Sequence, residues 1–444
     1  MTTKRVFRGA VGPIALVVAC MVFAAWGSFG SSPSATATRR APAISTSSCG
    51  PKAGVAATGS PIRLGVIVTD QAGTSFTDIP NMAEAYFNCV NANGGVKGHR
   101  IKYYIETEQT NPTQIAADAK QLVQTDHVVG IVGNTSIIEC SVDNAYWKSL
   151  GMFIIDSGIA SECYGSANSA AVNMGPRFSS DGAAQYVIAK GAKKIAFDQS
   201  NVPGTGYNVG GIVAITKKDR IPLSQLTENV PIQDADSVAL KEVDAAGPNG
   251  AVVLNFTPPD ALVILQAVQK LGLINRVKYW ACSTPCNTDF LAKSLGSAWN
   301  GKLFVNAELL PPDAFNTKTM QLYKAILKKY GAAVSGGIGA FSEMGFTEAE
   351  TAVHALNTVK GAYTIHSVNA AFVGTNFKTG MLCQVWKYGH YKTHIPNNAD
   401  FTVTPKNGKM VLAQGCQKIS GFDPLMAHYR TQAGTAPYGS GHGY

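Results

Sequence analysis

The stretch that decides the fold lies between residues 63 and 134 and comprises RLGVIVTD (63–70), NANGGVKGHRIKYYIETEQTNPTQIAADAKQLV (91–123) and VVGIVGN (128–134). Three short runs rich in β-branched residues indicate strands: Leu64–Thr69, Ile101–Thr107 and Val128–Val132. One helical stretch separates the first two runs, and a second, Pro112–Gln124, separates the last two. Strands that alternate with helices predict βαβ units and a parallel sheet.

The same alternation continues far along the chain. Further strands are predicted at 153–155, 194–198, 251–255, 278–281, 303–306 and, late in the chain, 377–386. Helices are predicted at 181–190, 260–271, 319–330 and 340–359. This regular pattern predicts an α/β protein with doubly wound sheets.

Polar residues end the first and third of these strands: Asp70, Gln71, Asn134, Thr135 and Ser136. In open α/β sheets, ligands bind beyond the carboxyl ends of the strands, so these residues are candidate ligand contacts. The backbone N–H groups of the 133–136 loop precede a helix and can receive an anionic oxygen. The alternative is that Asn134, Thr135 or Ser136 only caps that helix.

Composition and charge exclude several classes of function. The 444 residues are 45% hydrophobic and 15% charged, which is typical of a globular protein. The net charge is +9, but five basic residues lie within the first 48, and subtracting them leaves +4. This excess is too small and dispersed to predict nucleic-acid binding. We find no Walker loop, HExxH or GxSxG motif, and we expect no cofactor and no metal.

The N-terminus predicts export. A basic start (Lys4, Arg5, Arg8) precedes an uncharged, largely apolar stretch, so residues 1–29 read as a signal peptide or a membrane anchor. A third alternative is a lipoprotein, because Val17–Cys20 resembles a lipobox. Residues 30–60 are rich in Ser, Ala, Thr, Pro and Gly and predict a flexible linker that tethers the protein to the membrane. We therefore expect the folded part in the cell envelope, outside the cytoplasm.

Eight cysteines remain beyond the targeting segment: Cys49, Cys89, Cys140, Cys163, Cys282, Cys286, Cys383 and Cys416. An even number in an exported chain predicts disulfides, although the sequence does not fix their connectivity. The Cys282–Cys286 spacing lacks the second ligand pair that a zinc site requires.

The stretch NxxGGVxGHxI at residues 91–101 (Asn91, Gly94, Gly95, Val96, Gly98, His99, Ile101) resembles the type I periplasmic solute-binding proteins of ABC importers, in particular the receptors for branched-chain amino acids. The resemblance continues at 176–182, 198–206 and 259–272 and covers about residues 61–415. It implies two Rossmann-like lobes joined by a three-segment hinge. Lobe one would comprise 61–175 and 307–370, and lobe two 176–306 and 371–416, followed by a largely disordered tail at 417–444.

This lobe division and the short separations favour the disulfides Cys140–Cys163, Cys282–Cys286 and Cys383–Cys416, which leaves Cys49–Cys89. Each pair would then stay within one lobe, as hinge closure requires.

The resemblance also implies where the ligand binds. In similar proteins a ligand carboxylate lies between the loop at 134–136 and the next strand end, which here contains Ser157, Gly158 and Ala160. Aromatic residues that we expect near the cleft are Phe76, Phe178, Phe256, Trp280, Phe341 and Phe346, with Asn255 at a strand end and Glu308 near a lobe crossing. Each aromatic residue has plain core packing as its alternative, and for Glu308 the alternative is a solvated carboxylate.

Lobe two departs from the amino-acid receptors. Pro203 stands where those proteins commonly have Tyr, and 255–260 lacks an obvious carboxylate for an α-ammonium group. An ammonium group buried without a partner is costly, so a free amino acid is not favoured over an apolar or aromatic carboxylate, an amide or a polyol.

The expected function is therefore the extracytoplasmic substrate-binding component of an ABC importer, which captures a small polar or carboxylate-bearing solute by hinge closure. Its partners would be the permease and ATPase subunits of that importer. An extracellular sensing domain that signals without transport is the first alternative, and an exported α/β oxidoreductase is a distant one.

Overall fold

Two mainly parallel sheets form the centres of two lobes in this computed structural model, which describes residues 49–419 and 423–425. The first sheet contains β1 (Gly59–Gln71), β2 (Thr74–Ser75), β3 (His99–Glu108), β4 (Gly130–Asn134), β5 (Ile154–Asp156) and β6 (Ser169–Ala171). Its parallel strands follow the order β3-β1-β4-β5-β6, while β2 folds back antiparallel on the end of β1. We call this sheet and the helices around it lobe one.

The second sheet forms lobe two and has seven strands. Five are parallel: β7 (Ile195–Ser200), β8 (Leu223–Glu228), β9 (Ala251–Asn255), β10 (Tyr279–Cys282) and β11 (Leu303–Ala307). After a two-stranded hairpin of β12 (Asn376–Phe377) and β13 (Trp386–Lys387), the chain adds β14 (Ala399–Lys406) and β15 (Lys409–Lys418) antiparallel at the β11 edge. The strand order is β15-β14-β11-β10-β9-β7-β8.

Helices cover the sheets in both lobes. Lobe one begins with α1 (Asp78–Ala92), α2 (Pro112–Lys120), α3 (Glu139–Ser149) and α4 (Ser161–Tyr164), and lobe two has α5 (Gly175–Ala189), α6 (Gly210–Asp219), α7 (Ala235–Ala246), α8 (Pro258–Lys270) and α9 (Asp289–Leu295). The chain then returns to lobe one as α10 (Lys318–Tyr330), α11 (Ala340–Leu356) and α12 (Ile365–Val373). The buried face of α1 packs against α11 and α10, so this return is part of the lobe-one core.

Local sequence signals explain several helix starts. Asn111 accepts hydrogen bonds from the backbone N–H groups of Thr113 and Gln114, with Pro112 at the first helical position of α2. Thr364 and Ser367 form a reciprocal capping box at α12. These side chains satisfy N–H groups that a helix leaves without intrahelical partners. The helix predicted from Pro112 therefore begins where the sequence indicates, whereas α12 was not predicted.

The chain crosses between the lobes three times, and one side chain joins the crossings. The Nδ2 atom of Asn397 donates to the carbonyl oxygens of Val172 (3.1 Å) and Glu308 (2.9 Å). Val172 precedes α5 at the first crossing, Glu308 follows β11 at the second, and Asn397 itself precedes β14 at the third. This buried amide holds the three segments together at the base of the cleft.

The third crossing differs in position from the expectation. The sequence places residues 371–416 in lobe two, but the Trp386 indole donates to the carbonyl of Ala171 (3.0 Å) and the His394 backbone donates to that of Tyr164 (2.9 Å), both in lobe one. The chain enters the second sheet only at β14. The reason is apolar burial, because Trp386 and Tyr388 are fully buried on the lobe-one side.

The four disulfides pair as the sequence favours: Cys49–Cys89, Cys140–Cys163, Cys282–Cys286 and Cys383–Cys416. The last does not stay within one lobe, since Cys383 precedes the third crossing and Cys416 lies on β15. The predicted linker also ends earlier than residue 60. Cys49 is buried and bonded to Cys89, and the backbone of residues 52 and 57 bonds to the end of α1.

The signal peptide, the membrane anchor and the lipobox lie outside the described residues, as do residues 30–48, 420–422 and 426–444. Within the described part, no helix has the length and apolarity needed to cross a bilayer.

The contact between α1 and α11 depends on a glycine. A Cβ atom at Gly345 would lie 1.9 Å from the carbonyl oxygen of Ile79. We expect Gly345→Ala to lower the free energy of unfolding by about 1–3 kcal/mol, because α11 must move away from α1. Gly415→Ala is the control, since nothing lies within 4 Å of a Cβ there. Urea unfolding measures both, and equal stability of the two variants would contradict the close approach.

Candidate ligand-binding site

A cavity of about 80 Å³ lies between the two lobes, beyond the carboxyl ends of their strands. Because one water occupies roughly 10–15 Å³ on this measure, the cavity has room for about five to eight water-sized groups, the size of a small organic molecule. Its apolar lining consists of Phe76, Ile79, Ile137, Ile159, Gly175, Pro176, Val202, Phe256, Pro285, Phe341 and Met344. Its polar lining consists of Thr74, Thr135, Asn173, Ser179, Ser200, Thr205, Asn208, Asn255, Thr257 and Glu308.

The lobes touch each other on both sides of this cavity. The Thr257 hydroxyl of lobe two donates to the carbonyl of Gly73 in lobe one (3.3 Å), and the Tyr207 hydroxyl donates to the carbonyl of Ile159. Gly73 has a φ of 76°, and a Cβ there would lie 2.7 Å from the nitrogen of Pro231. A side chain at this position would keep the lobes apart, so the structure has the closed arrangement of a two-lobed protein.

The wall from lobe one is mainly apolar. Phe76 and Phe341 form an edge-to-face pair with ring centroids 5.5 Å apart, an arrangement that aromatic rings favour. Phe76 follows the β1–β2 turn, while Phe341 and Met344 lie on the first turns of α11. The tertiary contact of α11 with α1 therefore also fixes this apolar wall.

The wall from lobe two carries a buried amide without partners. Asn208 is 1% exposed, and neither its Oδ1 nor its Nδ2 atom has a hydrogen-bond partner in the described part of the protein. It follows a short helical turn at Thr205–Tyr207 and lies two residues before the start of α6. Buried amides are rarely left unpaired because desolvation costs about 1–3 kcal/mol. A bound ligand with a hydrogen-bond acceptor would satisfy the Nδ2 group.

The floor of the cavity is a buried polar network around Glu308. Its carboxylate accepts the backbone N–H of Met174 from the first crossing. Burial raises the pKa of Glu308 to about 8, with the charge of Asp400 adding to the effect. Nearby, the Thr284 hydroxyl donates to the side-chain oxygen Oδ1 of Asn306 (2.7 Å), and the Nδ2 group of the same side chain donates to Asp400. Burial raises the pKa of Asp400 to about 8 as well, so both carboxyls are largely protonated at neutral pH.

The structure places five of the predicted ligand residues at this cavity: Phe76, Thr135, Asn255, Phe256 and Glu308. Phe341, one of the further aromatic candidates, also lines it. The side-chain oxygen Oδ1 of Asn255 accepts the hydroxyl of Ser283, which follows β10 (2.8 Å), and this bond fixes the Asn255 amide against the lobe-two wall. In both lobes, the position of a residue at the end of a strand therefore indicated residues that line the cavity.

The other predicted residues of the first strand ends do not line the cavity. The Ser136 hydroxyl donates to Glu108 (2.8 Å), and Asn134 accepts the backbone N–H of Ile67 (2.8 Å). Gln71 accepts the hydroxyl of Thr110 (2.8 Å), while Asp70 is exposed near the end of β1. Ser136 also accepts the backbone N–H of Glu139 (3.1 Å), which is the capping role that the sequence left open.

The second predicted loop is likewise used for structure. The Ser157 hydroxyl donates to buried Glu348 on α11 (2.5 Å), and the Gly158 carbonyl accepts Tyr164 (2.7 Å). Ala160 lies in the small core that contains the Cys140–Cys163 disulfide, together with Phe178. Trp280 packs edge-on against Trp299 at 5.7 Å, and Phe346 packs against Tyr86 and Tyr323, so these rings belong to the core.

Several lining residues were not predicted. Ile159 lies between Gly158 and Ala160, which we named, and it lines the cavity whereas they do not. Asn173, Ser179 and Asn208 have no distinguishing sequence signal, because a polar residue near a helix start is most often a cap. Only the tertiary structure brings them to the cleft.

Among the described residues, one group has the spacing of metal ligands: Cys140, Asp156 and Cys163. Both sulfur atoms are consumed by their disulfide, so this group offers a single carboxylate and does not fit a metal ion.

A sequence model of the periplasmic binding proteins matches residues 61–409. The chain belongs to the periplasmic binding protein family. This family implies an exported protein, and its members are solute-binding proteins. A search of curated proteins found no match.

Solved structures of this family have the same fold at low sequence identity. A branched-chain amino acid ABC transporter protein from Thermus thermophilus with bound valine superposes with a TM-score of 0.71 at 16% identity, covering 84% of this chain and 100% of that one. A fatty acid ABC transporter substrate-binding protein from Thermomonospora curvata superposes with a TM-score of 0.70 at 17% identity, covering 84% of this chain and 97% of that one. A solute-binding protein from Rhodopseudomonas palustris BisB5 in complex with 3,4-dihydroxybenzoic acid superposes with a TM-score of 0.68 at 14% identity, covering 82% of this chain and 99% of that one.

Protonation of Glu308 makes stability depend on pH. Between pH 4.5, its ordinary pKa, and about 8, the folded protein retains a proton that the unfolded chain releases, so this group weakens folding as the pH rises. Glu308→Gln should remove that contribution, which is at most about 1.4 kcal/mol per pH unit, because an amide does not titrate. The Gln side chain can still accept the Met174 N–H. Urea unfolding from pH 5 to 8 checks this. The control Glu162→Gln changes an exposed carboxylate. If the free energy of unfolding changed with pH equally in both variants, the prediction would be wrong.

Proposed function

We propose that this protein is the extracytoplasmic substrate-binding component of an ABC importer and captures a small solute with an apolar body and a polar head group. The observation that carries the proposal is Asn208, a buried amide on the cavity wall with both polar atoms unpartnered. The apolar wall of lobe one supports the same ligand chemistry. An apolar pocket with a few polar groups that converge on it is the usual form of a small-molecule site.

The charges around the cavity favour a carboxylate over a free amino acid. None of the described residues that line it is Lys, Arg or His, and its only acidic residue is Glu308. Because the pKa of Glu308 is raised to about 8, this residue is mostly neutral at pH 7 and is a poor partner for an α-ammonium group. A protonated Glu308, the Asn208 Nδ2 group and the hydroxyl of Thr74 are donors that suit a carboxylate or a carbonyl oxygen.

The proposed ligand closes the cleft by contacting both lobes. Its apolar body would pack on Phe76, Ile159 and Phe341, and its head group would bond to Asn208 across the cavity. A ligand shifts an open–closed equilibrium only when it binds the closed state better. The lobe contacts Tyr207–Ile159 and Thr257–Gly73 exist only when the cleft is closed, so ligand and lobe contacts would act together.

The remaining parts of the proposal concern the partners and the N-terminus. The closed protein would deliver its solute to a permease powered by a cytoplasmic ATPase. Residues 1–29 would act as a signal peptide or an anchor, with lipidation at Cys20 as the alternative, and the following segment would tether the protein to the membrane. The protein would bind its solute without turnover, so the solute should be recovered unchanged.

A thermal-shift screen tests the ligand class with benzoate, 4-hydroxybenzoate, octanoate, valine and benzamide. A ligand at 100 times its Kd adds about 2.7 kcal/mol of apparent stability, which raises Tm measurably. We expect carboxylates with an apolar body to raise Tm more than valine does. A larger shift with valine than with every carboxylate would overturn the assignment.

Asn208→Ala tests the head-group contact with the best ligand of that screen. Loss of a hydrogen bond to a charged group costs about 1.5–3 kcal/mol, so affinity should fall about 10- to 100-fold in isothermal titration. Asn201→Ala is the matched control, because Asn201 does not line the cavity and its exposed amide bonds to Asn229. Equal affinity in the two variants would place the head group elsewhere.

A further inference from the structure

A residue beyond the family match, Asp423, is buried in lobe two. The match ends at residue 409 and the last strand at Lys418, yet Asp423 is 0% exposed. Leu425, two residues further along the chain, donates its backbone N–H to the Asp423 carboxylate (2.7 Å), which orients the side chain locally. The carboxylate contacts the first turn of α5, directly after the first lobe crossing.

Asp423 forms a bidentate ion pair with Arg177. The Nε atom of Arg177 lies 2.8 Å from Oδ2 and its Nη2 atom 2.9 Å from Oδ1. The third nitrogen of the guanidinium, Nη1, donates to the backbone carbonyl of Tyr207 (2.8 Å). A planar guanidinium that makes three such bonds has a fixed orientation, which a lysine at this position would not have.

The surroundings of the pair keep it in place. Burial raises the pKa of Asp181 well above its usual range, so that carboxyl is protonated beside Asp423. Burial alone would raise the pKa of Asp423, but the hydrogen bonds from Arg177 and Asp181 lower it below the ordinary value. The start of α6 lies directly over these groups, because a Cβ at Gly210 would be 2.4 Å from Arg177 Nη1.

The loop that Arg177 contacts provides two groups to the cleft. Tyr207, whose carbonyl accepts the Arg177 bond, donates its hydroxyl to Ile159 of lobe one. Asn208, the next residue, lines the cavity with its unpartnered amide. Arg177 of the ion pair therefore bonds directly to Tyr207, the residue that makes a lobe–lobe contact. The next residue in the chain, Asn208, is the proposed head-group contact.

We infer that Asp423 is a positioning residue of the ligand site, because it orients Arg177 and Arg177 holds the loop that carries Tyr207 and Asn208. Asp423 thus acts on ligand binding through Arg177, without lining the cavity. This inference rests on the proposed function for the role of Asn208, whereas the effect on the loop can be measured without any ligand.

Asp423→Asn in the full chain tests the inference by hydrogen–deuterium exchange. The neutral amide leaves Arg177 without its carboxylate, so we expect amide exchange in residues 204–210 to rise at least about threefold, while exchange in β9 and β10 stays unchanged. The control is Asp236→Asn, which removes an exposed pair with Lys270 (2.5 Å). Uniformly faster exchange across lobe two, or no change in 204–210, would overturn the inference and leave Asp423 with a general structural role.

Affinity gives the second readout. With the best ligand of the screen above, Asp423→Asn should weaken binding about tenfold, mainly through faster dissociation, while Asp236→Asn retains wild-type affinity. Tyr207→Phe should weaken binding without raising exchange in 204–210, since it leaves the Arg177 bonds intact. If no compound of the screen binds, the proposed function fails, and the exchange experiment still decides whether Asp423 positions the loop. Unchanged affinity in Asp423→Asn would overturn its role in the ligand site.

Discussion

The two lobes depend on one buried amide at the base of the cleft. Asn397 donates to the carbonyls of Val172 and Glu308, so a single side chain joins all three segments that cross between the lobes. Around it lies a polar network in which Glu308 accepts the Met174 N–H and Asp400 accepts the Asn306 amide. Buried polar groups are expensive when unpaired. A network that is paired only when the three crossings are adjacent therefore determines their arrangement.

The same network connects the hinge to the ligand. Glu308 lines the cavity and bonds to the first crossing, so the floor of the site consists of the segments about which the lobes rotate. Because burial keeps the carboxyls of Glu308 and Asp400 largely protonated, they provide hydrogen bonds without a net charge beneath the proposed ligand. An ionised pair here would repel a ligand carboxylate and each other.

The sequence predicted the fold well, because hydrophobic periodicity records which faces are buried. The predicted strand at 251–255 has the bounds of β9, and the helix at 319–330 differs from α10 by one residue. Other features left no periodic signal. The family resemblance placed the third crossing near residue 370. Its actual position depends on where Trp386 and Tyr388 find a partner surface.

The site was predictable only in part, since strand ends supply both ligand contacts and structural bonds. Thr135 and Ser136 are neighbours with similar hydroxyls, yet Thr135 lines the cavity while Ser136 bonds to Glu108. The partner that distinguishes them is a carboxylate 28 residues away in sequence. No local pattern contains that information, and the same holds for Ser157, whose partner Glu348 comes from the returning helix α11.

The cleft has two unlike walls, and this asymmetry constrains which solutes it can bind. Lobe one presents Phe76, Ile159 and Phe341, while lobe two presents Asn208 and the hydroxyls of Ser200 and Thr205. A solute with one apolar and one polar end would therefore gain its full set of contacts only when both walls reach it. A purely apolar molecule would leave Asn208 unpaired, and a purely polar one would lose the contact with the rings. Selectivity and closure then have the same physical origin, because the ligand that satisfies both walls is the one that holds the lobes together.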